Sequence, residues 1–355
     1  MEEVKKQTIE FPLGFWYAAL PSSELKRGQM FRQMLLNRPF LLLRDKQGKV
    51  SALDDHCPHR GIPLSDGNFD GEVVECCYHG WKFDCTGKCV HIPALLPGSP
   101  VKVERIKTKS FPCEEADGLI WVYVSSSKSK DKVADVPRLA VFSDKYKQNL
   151  ISRPLRCDMD HGIVGLMDPA HGPFVHKSWW WRNRKSIHEK EKRFEPIPNG
   201  FRMSAHKPST NSAAYKLLNI YNEPITTTID FILPNRRLEQ VRCGKYWFSS
   251  QAIVTPITDK ECRLDFVAAW NILRNVPFIK NIYRFFAHKF IGQDQRIMEK
   301  QSVGLRDNPT LMLIDDADTQ AKWYYQLKAA YLKSQRNGGE MEHPLKESVT
   351  LHWRS

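Results

Sequence analysis

Cys57-Pro58-His59-Arg60-Gly61 and Cys76-Cys77-Tyr78-His79-Gly80-Trp81 are the stretches from which the rest of the chain is read. They set out Cys-x-His, a gap of sixteen residues, then Cys-x-x-His. Two thiols and two imidazoles so spaced are a metal-ligand set rather than part of a disulfide framework. Two chemistries share these donors. One is a tetrahedral zinc ion. The other is a two-iron, two-sulfide cluster with Cys57 and Cys76 on one iron and His59 and His79 on the other. The residues after each pair, Arg60-Gly61 and Gly80-Trp81, do not resemble the helix of a zinc finger and favour the cluster. Neutral imidazole ligands raise a cluster's reduction potential, and their outer ring nitrogens let an electron, with or without a proton, leave at an exposed edge.

The sequence around these loops reads as short strands. Met34-Leu35-Leu36, Phe40-Leu41-Leu42-Leu43 and Val50-Ser51-Ala52-Leu53 are apolar runs, and Asp45-Lys46-Gln47-Gly48 supplies a hairpin turn. Val73-Val74 and residues 119–124 add further strands, so residues 14–125 are expected to form a small all-β domain whose loops hold the cysteines. Ser125 to Asp135, rich in Ser, Lys and Asp, reads as a solvated connector. A second domain is expected over 136–335, with strands at Thr226 to Leu233, Tyr246 to Thr255 and Cys262 to Trp270, the last two paired antiparallel. From Phe278 to Val303 the period turns helical, with Ile282, Phe286, Phe290, Ile297 and Met298 as the apolar stripe. A second helix is expected from Asp316 to Leu332, and residues 336–355 read as a C-terminal tail. No internal repeat is visible.

At 355 residues, 41% hydrophobic and 26% charged, the chain has the size and balance of an ordinary two-domain globular protein. Nine scattered cysteines and no signal-like or membrane-spanning apolar run lead to the expectation of a cytoplasmic protein, with peripheral attachment to a membrane left open. The net charge of +13 does not by itself name a partner. Its densest stretch, Arg182 to Arg193, also carries His188, Glu189 and Glu191, and it follows Trp179-Trp180-Trp181 without interleaved aromatics. No nucleic-acid motif accompanies it, so nucleic acid is not an expected partner.

A second constellation lies in Asp168-Pro169-Ala170-His171-Gly172-Pro173-Phe174-Val175-His176. Asp168 followed by proline is expected to cap a helix that carries His171 one turn later. His176 is five positions on, about 140° round an ideal helix, so Gly172-Pro173 must break the helix for both imidazoles to meet one metal. By itself the pair is equally consistent with two core histidines. His161, beside Asp158 and Asp160, is a lesser candidate because it lacks the spacing. Asp294 lies near the apolar stripe, four residues after Phe290 and three before Ile297, where a carboxylate is costly unless paired or metal-bound.

Residues 14 to 125 resemble the Rieske domain of ring-hydroxylating and demethylating oxygenases, on the strength of Cys57-x-His59-Arg60-Gly61 and Cys76-x-x-His79-Gly80-Trp81. Cys77 departs from the family's usual proline. Ile62 and Tyr78 stand where respiratory Rieske proteins place a disulfide, which favours the oxygenase branch. The resemblance implies an α+β protein: an N-terminal all-β Rieske domain and a C-terminal domain of helix-grip type, with an antiparallel sheet and a long helix. It implies one 2Fe–2S cluster per chain and one mononuclear Fe2+, held by His171, His176 and an acid that matches Asp294 better than Asp307, Asp315 or Asp316. Asp168 would link His171 to His79 of a neighbouring subunit, so a homotrimer is implied. The family's Asn four residues before this Asp is Val164 here.

What the resemblance implies for function is a terminal oxygenase. Electrons come from an external reductase or ferredoxin, since the glycines form no dinucleotide fingerprint, and ferrous iron activates O2 beside the substrate. The substrate is expected to be an apolar small molecule, aromatic, alicyclic or sterol-like, that is monooxygenated by hydroxylation or oxidative demethylation. The alternatives are a cis-dihydroxylating dioxygenase alpha subunit and a Rieske electron carrier without oxygenase activity. Trp179-Trp180-Trp181 is a candidate pocket lining, against the commoner reading as packing or interface.

Overall fold

The computed structural model describes residues 10–126, 133–176, 187–208, 221–307 and 309–355. The chain falls into two units, Leu13–Arg138 and Leu139–Ser355, and the second also takes in the residues before Leu13, where Glu10 pairs with Arg336.

Three antiparallel sheets build the first unit. One holds β1 (Phe15–Pro21), β11 (Leu119–Val124) and β10 (Cys113–Ala116) in that order; the second runs β2 (Gln29–Leu35), β3 (Arg38–Arg44), β4 (Val50–Asp54) and β9 (Ser110–Phe111). The third, β5 (Asn68–Phe69), β6 (Val73–Glu75), β7 (Lys82–Asp84) and β8 (Cys89–His91), is short and carries one cysteine loop. The unbroken run Phe40-Leu41-Leu42-Leu43 is explained by burial on both faces of β3. Phe40 and Leu42 point into a core with Tyr17, Ile120 and Val122, while Leu41 and Leu43 point into another with Phe83, Cys57 and Cys76. The thiols of both cysteine loops therefore root in the same apolar cluster.

The second unit is an eight-stranded antiparallel sheet. Its order is β12 (Lys147–Leu155), β18 (Cys262–Trp270), β17 (Tyr246–Pro256), β16 (Arg236–Cys243), β15 (Ile225–Ile232), β14 (Gly200–His206), β13 (Glu189–Ile197) and β19 (Val349–Arg354). Four helices accompany it among the described residues: α1 (Met159–Met167), α2 (Gly172–Val175), α3 (Ile279–Gly304) and α4 (Thr319–Asn337). Helix α4 lays Trp323 against Phe194 and Phe201, and Tyr324 against Phe231, so it grips β13, β14 and β15. Each such buried aromatic contributes about 1.5–3 kcal/mol of apolar burial. Among the described residues no helix is long and apolar enough to cross a membrane.

Three expectations need correction. Residues 336–355 are not a tail, because Val349, Leu351 and Trp353 alternate inward as β19, whose residues pair with Glu189–Phe194 of β13. The buried stripe of α3 is only partly the expected one, with Met298 common to both. It runs through Ile291, Asp294 and Met298, while Ile282 and Ile297 are exposed. Finally, Asp168 ends a helix instead of starting one. Asp158 caps α1 by accepting from the amide of His161 at 2.9 Å, and α1 stops at Asp168 because a residue before proline is driven out of the helical region.

Candidate metal centres

The two cysteine loops share one backbone design. The amide of Cys57 donates to the carbonyl of Ile62 at 2.9 Å, and that of Gly61 to Cys57 at 2.8 Å; the amide of Cys76 donates to Trp81 at 2.9 Å, and that of Gly80 to Cys76 at 3.0 Å. Gly61 (φ 72°) and Gly80 (φ 66°) close these turns in left-handed backbone that a side chain would strain. Different ligand spacings, Cys-x-His and Cys-x-x-His, thus arise from equivalent turns.

The loops direct thiols inward and imidazoles outward. Cys57 and Cys76 are buried, whereas His59 and His79 are exposed with ring centroids 4.5 Å apart. Trp81 stacks on His59 at 4.4 Å with its plane within 5°, and Tyr78 leans on His79 at 3.9 Å. Burial, together with the neighbouring Cys76 thiol, pushes Cys57 up to about 11, so metal uptake must displace its proton. Cys77 is exposed, and its neighbour Cys76 is the cysteine that faces the core.

In the second unit His171, His176 and Asp294 converge. The Nε2 atoms of the two histidines lie 3.2 Å apart, and Oδ1 of Asp294 is 3.1 Å from His176 Nε2 and 3.6 Å from His171 Nε2. Three donors about 2.1 Å from one ion at right angles would be about 3.0 Å apart, so the set fits one face of an octahedron, the arrangement of two-His, one-carboxylate iron sites. The histidines reach this point as the residues flanking the single turn of α2, His171 before it and His176 after it. Gly172-Pro173 starts this short helix rather than breaking a longer one. Asp294 comes from the buried side of α3, where it is 8% exposed.

Asp168 stands behind His171. Its Oδ1 accepts from the amide of Ala170 at 2.7 Å, and its Oδ2 lies 3.7 Å from His171 Nδ1, too far for a direct hydrogen bond. His171 Nδ1 is buried without a hydrogen-bond partner. Burial works to raise the Asp168 carboxyl, but the neighbouring His171 and the backbone amides hold it below its ordinary value. Burial works to lower His171, and the carboxylates of Asp168 and Asp294 outweigh it and raise it.

Two residues that sequence reasoning passed over complete the site. Gln293 Oε1 lies 3.0 Å from His176 Nδ1, and Phe290, expected only as stripe, stacks on the His176 ring at 3.7 Å. Phe290 precedes Gln293 by three residues and Asp294 by four on α3, and that spacing was the only available signal. His161 is spent elsewhere, with Nδ1 2.7 Å from Asp158 Oδ2. Asp315 pairs with Lys322, and Asp316 accepts from the amide of His352. Trp179, Trp180 and Trp181 lie outside the described residues. A recess of about 320 Å³ between Asp84, Lys88 and Glu104 belongs to neither centre.

Comparison with known proteins agrees with this architecture. Residues 15–112 match the Rieske [2Fe-2S] domain, and residues 156–328 match the vanillate O-demethylase oxygenase C-terminal domain. The chain belongs to the Rieske oxygenases. This Rieske oxygenase is 34% identical to the oxygenase component of dicamba O-demethylase from Stenotrophomonas maltophilia, over 48% of the chain and 49% of the relative. It is 28% identical to chloroplastic chlorophyllide a oxygenase from Chlamydomonas reinhardtii, over 79% of the chain and 42% of the relative. The chain thus spans about half or less of the length of these curated relatives. Among solved structures it is similar to dicamba monooxygenase bound to dicamba (TM-score 0.71, 22% identity, 92% and 98% of the two chains) and to NdmA of Pseudomonas putida CBB5 with caffeine (0.75, 20%, 91% and 93%), which shows the shared fold. A 2Fe–2S cluster and a mononuclear iron are the cofactors of such a chain.

Proposed function

We propose that the protein is the terminal oxygenase of a multicomponent system. It would take electrons from a separate reductase or ferredoxin and use O2 to monooxygenate an apolar aromatic, alicyclic or sterol-like small molecule, by hydroxylation or oxidative demethylation. The observation that carries this reading is the convergence of His171, His176 and Asp294 in the second unit. A carrier of electrons has no use for such a triad. The match of residues 156–328 to an O-demethylase domain favours monooxygenation over cis-dihydroxylation.

When bound, the cluster stores an electron and the ferrous ion activates dioxygen. In this reading Cys57 and Cys76 hold the cluster from the core side, while His59 and His79 present its outer edge to partners. His171, His176 and Asp294 would hold the iron, whose chemistry needs further positions open to dioxygen and water. Asp168 keeps a carboxylate beside His171 and is about one third exposed (34%), as a link to His79 of a neighbouring subunit in a homotrimer requires. The surplus of positive charge offers an acidic redox partner a complementary surface.

The test begins with metal content: about three irons per chain are expected, falling by about one in Asp294→Ala with the cluster's visible spectrum retained. Reduced protein, candidate substrates and O2 without reductase should then give product in a single turnover. Mass spectrometry reads gain of one oxygen, loss of methyl or gain of a diol. Product formation undiminished in Asp294→Ala would overturn the assignment of the iron site.

A further inference from the structure

His176 is held on three sides by a single turn of α3. Its ring is 2% exposed; Phe290 lies over one face at 3.7 Å and 12°, Asp294 Oδ1 meets Nε2 at 3.1 Å, and Gln293 Oε1 meets Nδ1 at 3.0 Å. An amide oxygen only accepts, so Nδ1 must be the protonated nitrogen. That leaves the lone pair on Nε2, on the side where His171 and Asp294 converge. The two histidines are therefore oriented by different means. His171 has the charged Asp168 at 3.7 Å and no direct hydrogen bond at Nδ1, whereas His176 has a neutral amide in direct contact.

We infer that Gln293 is a positioning residue of the iron site, which fixes His176 in the Nδ1–H tautomer and presents its Nε2 to the metal without adding charge. The inference rests on the iron-site reading of the triad. The neutrality has chemical content. Two acidic side chains, Asp168 and Asp294, already stand at the place of one divalent cation. A carboxylate at 293 would make the site net negative and His176 a stronger donor, so it should bind cations more tightly than the amide does. An apolar side chain there removes the acceptor, and His176 then loses the bias that keeps Nε2 free.

The experiment uses the cluster-loaded protein after its mononuclear metal has been removed by chelation, titrated anaerobically with Co2+ as the probe. Removing the hydrogen-bond partner of a metal-ligating histidine typically weakens binding about 10–100-fold, which is the effect expected of Gln293→Leu. Gln293→Glu should bind Co2+ at least as tightly as the wild type. In the Co2+-loaded protein the exchangeable, paramagnetically shifted N–H proton of His176 should exchange with water faster in Gln293→Leu, a change that mere loss of packing would not produce selectively. Helical content by circular dichroism and the cluster's visible spectrum report whether each variant folds.

Binding by Gln293→Leu within twofold of wild type would overturn the inference. So would equal weakening in Gln293→Glu, since shape rather than the acceptor would then decide. If the wild type fails to bind Co2+, or binds it undiminished in Asp294→Ala, the iron-site reading itself is wrong and the role of Gln293 falls with it.

Discussion

Replacing Lys328 by Met tests how α1, and with it the run to Asp168 and His171, is held in place. Lys328 Nζ lies 2.7 Å and 2.8 Å from the two carboxylate oxygens of Asp160 on α1, and Tyr324 of α4 donates to the same carboxylate. At 2.7 Å and an effective dielectric constant near 20, the bare attraction is about 6 kcal/mol. Desolvation of both groups cancels much of it. Breaking one side of a buried pair costs about 3–5 kcal/mol. Asp160 keeps 20% of its side chain in water and retains Tyr324, so a loss of about 2–4 kcal/mol is expected for Lys328→Met. Because the protein has two units, a thermal melt reports on α1 only through the transition of the second unit. Hydrogen exchange of peptides covering residues 159–167 reads the local opening of α1 directly. The double variant Lys328→Met with Asp160→Asn should lose less than the sum of the singles by about 1 kcal/mol or more. Unchanged α1 protection in Lys328→Met, or strict additivity, would refute the tether.

The other predictions are more compact. Cys76→Ser should abolish the visible absorption of the cluster while Cys77→Ser keeps it, because Cys76 is buried with Cys57 and Cys77 is exposed; the reverse result would move the ligand by one residue. Gly200→Ala should destabilise the second unit by about 3 kcal/mol or more, since an added Cβ would lie 1.9 Å from the carbonyl oxygen of Phe231; a thermal melt within a degree of wild type would contradict this. The Asp158–His161 pair should stabilise the second unit most between pH 3.8 and 6.5. His161, raised above 6.5 chiefly by its hydrogen bond to Asp158, loses its contribution as pH rises through the raised value. Asp158 is lowered below 3.8 because its His161 contacts overcome burial, and it loses its contribution as pH falls through that lowered value. The melting-point gap between wild type and His161→Gln should therefore be widest near pH 5 to 6 and shrink toward pH 9; a gap independent of pH would exclude the charged pair.

The legible parts of this sequence were those whose chemistry is rare. Two Cys and two His at fixed spacing have few uses, and a carboxylate on the inner side of a long helix is costly enough to draw the eye to Asp294. Geometry set by packing was harder to see. Ile282 and Ile297 look like core yet face out, because α3 is rotated to bury Asp294 against the histidines. Pro169 is as compatible with starting a helix as with stopping one, and the capping role of Asp158 decides the matter only once α1 is seen. Gln293 gave no signal beyond its spacing from Phe290, since glutamine is an ordinary helix residue. The alternating charges of Glu189 to Arg193 and the Arg236-Arg237 start of β16 hid strands whose pairing comes from their neighbours in the sheet, not from an apolar pattern of their own.

The pairing of β19 with β13 bears on how this protein is made. Val349 meets Phe194 and Arg354 meets Glu189, so the last strand of the sheet is supplied from far along the chain. During synthesis the outer edge of β13 must wait, with its backbone amides and carbonyls unsatisfied, until everything up to Arg354 has emerged. An interrupted product would carry the candidate metal-binding residues yet expose a sticky strand edge. For this chain, the interval between completing the proposed iron ligands and adding the last strand is when aggregation competes with maturation.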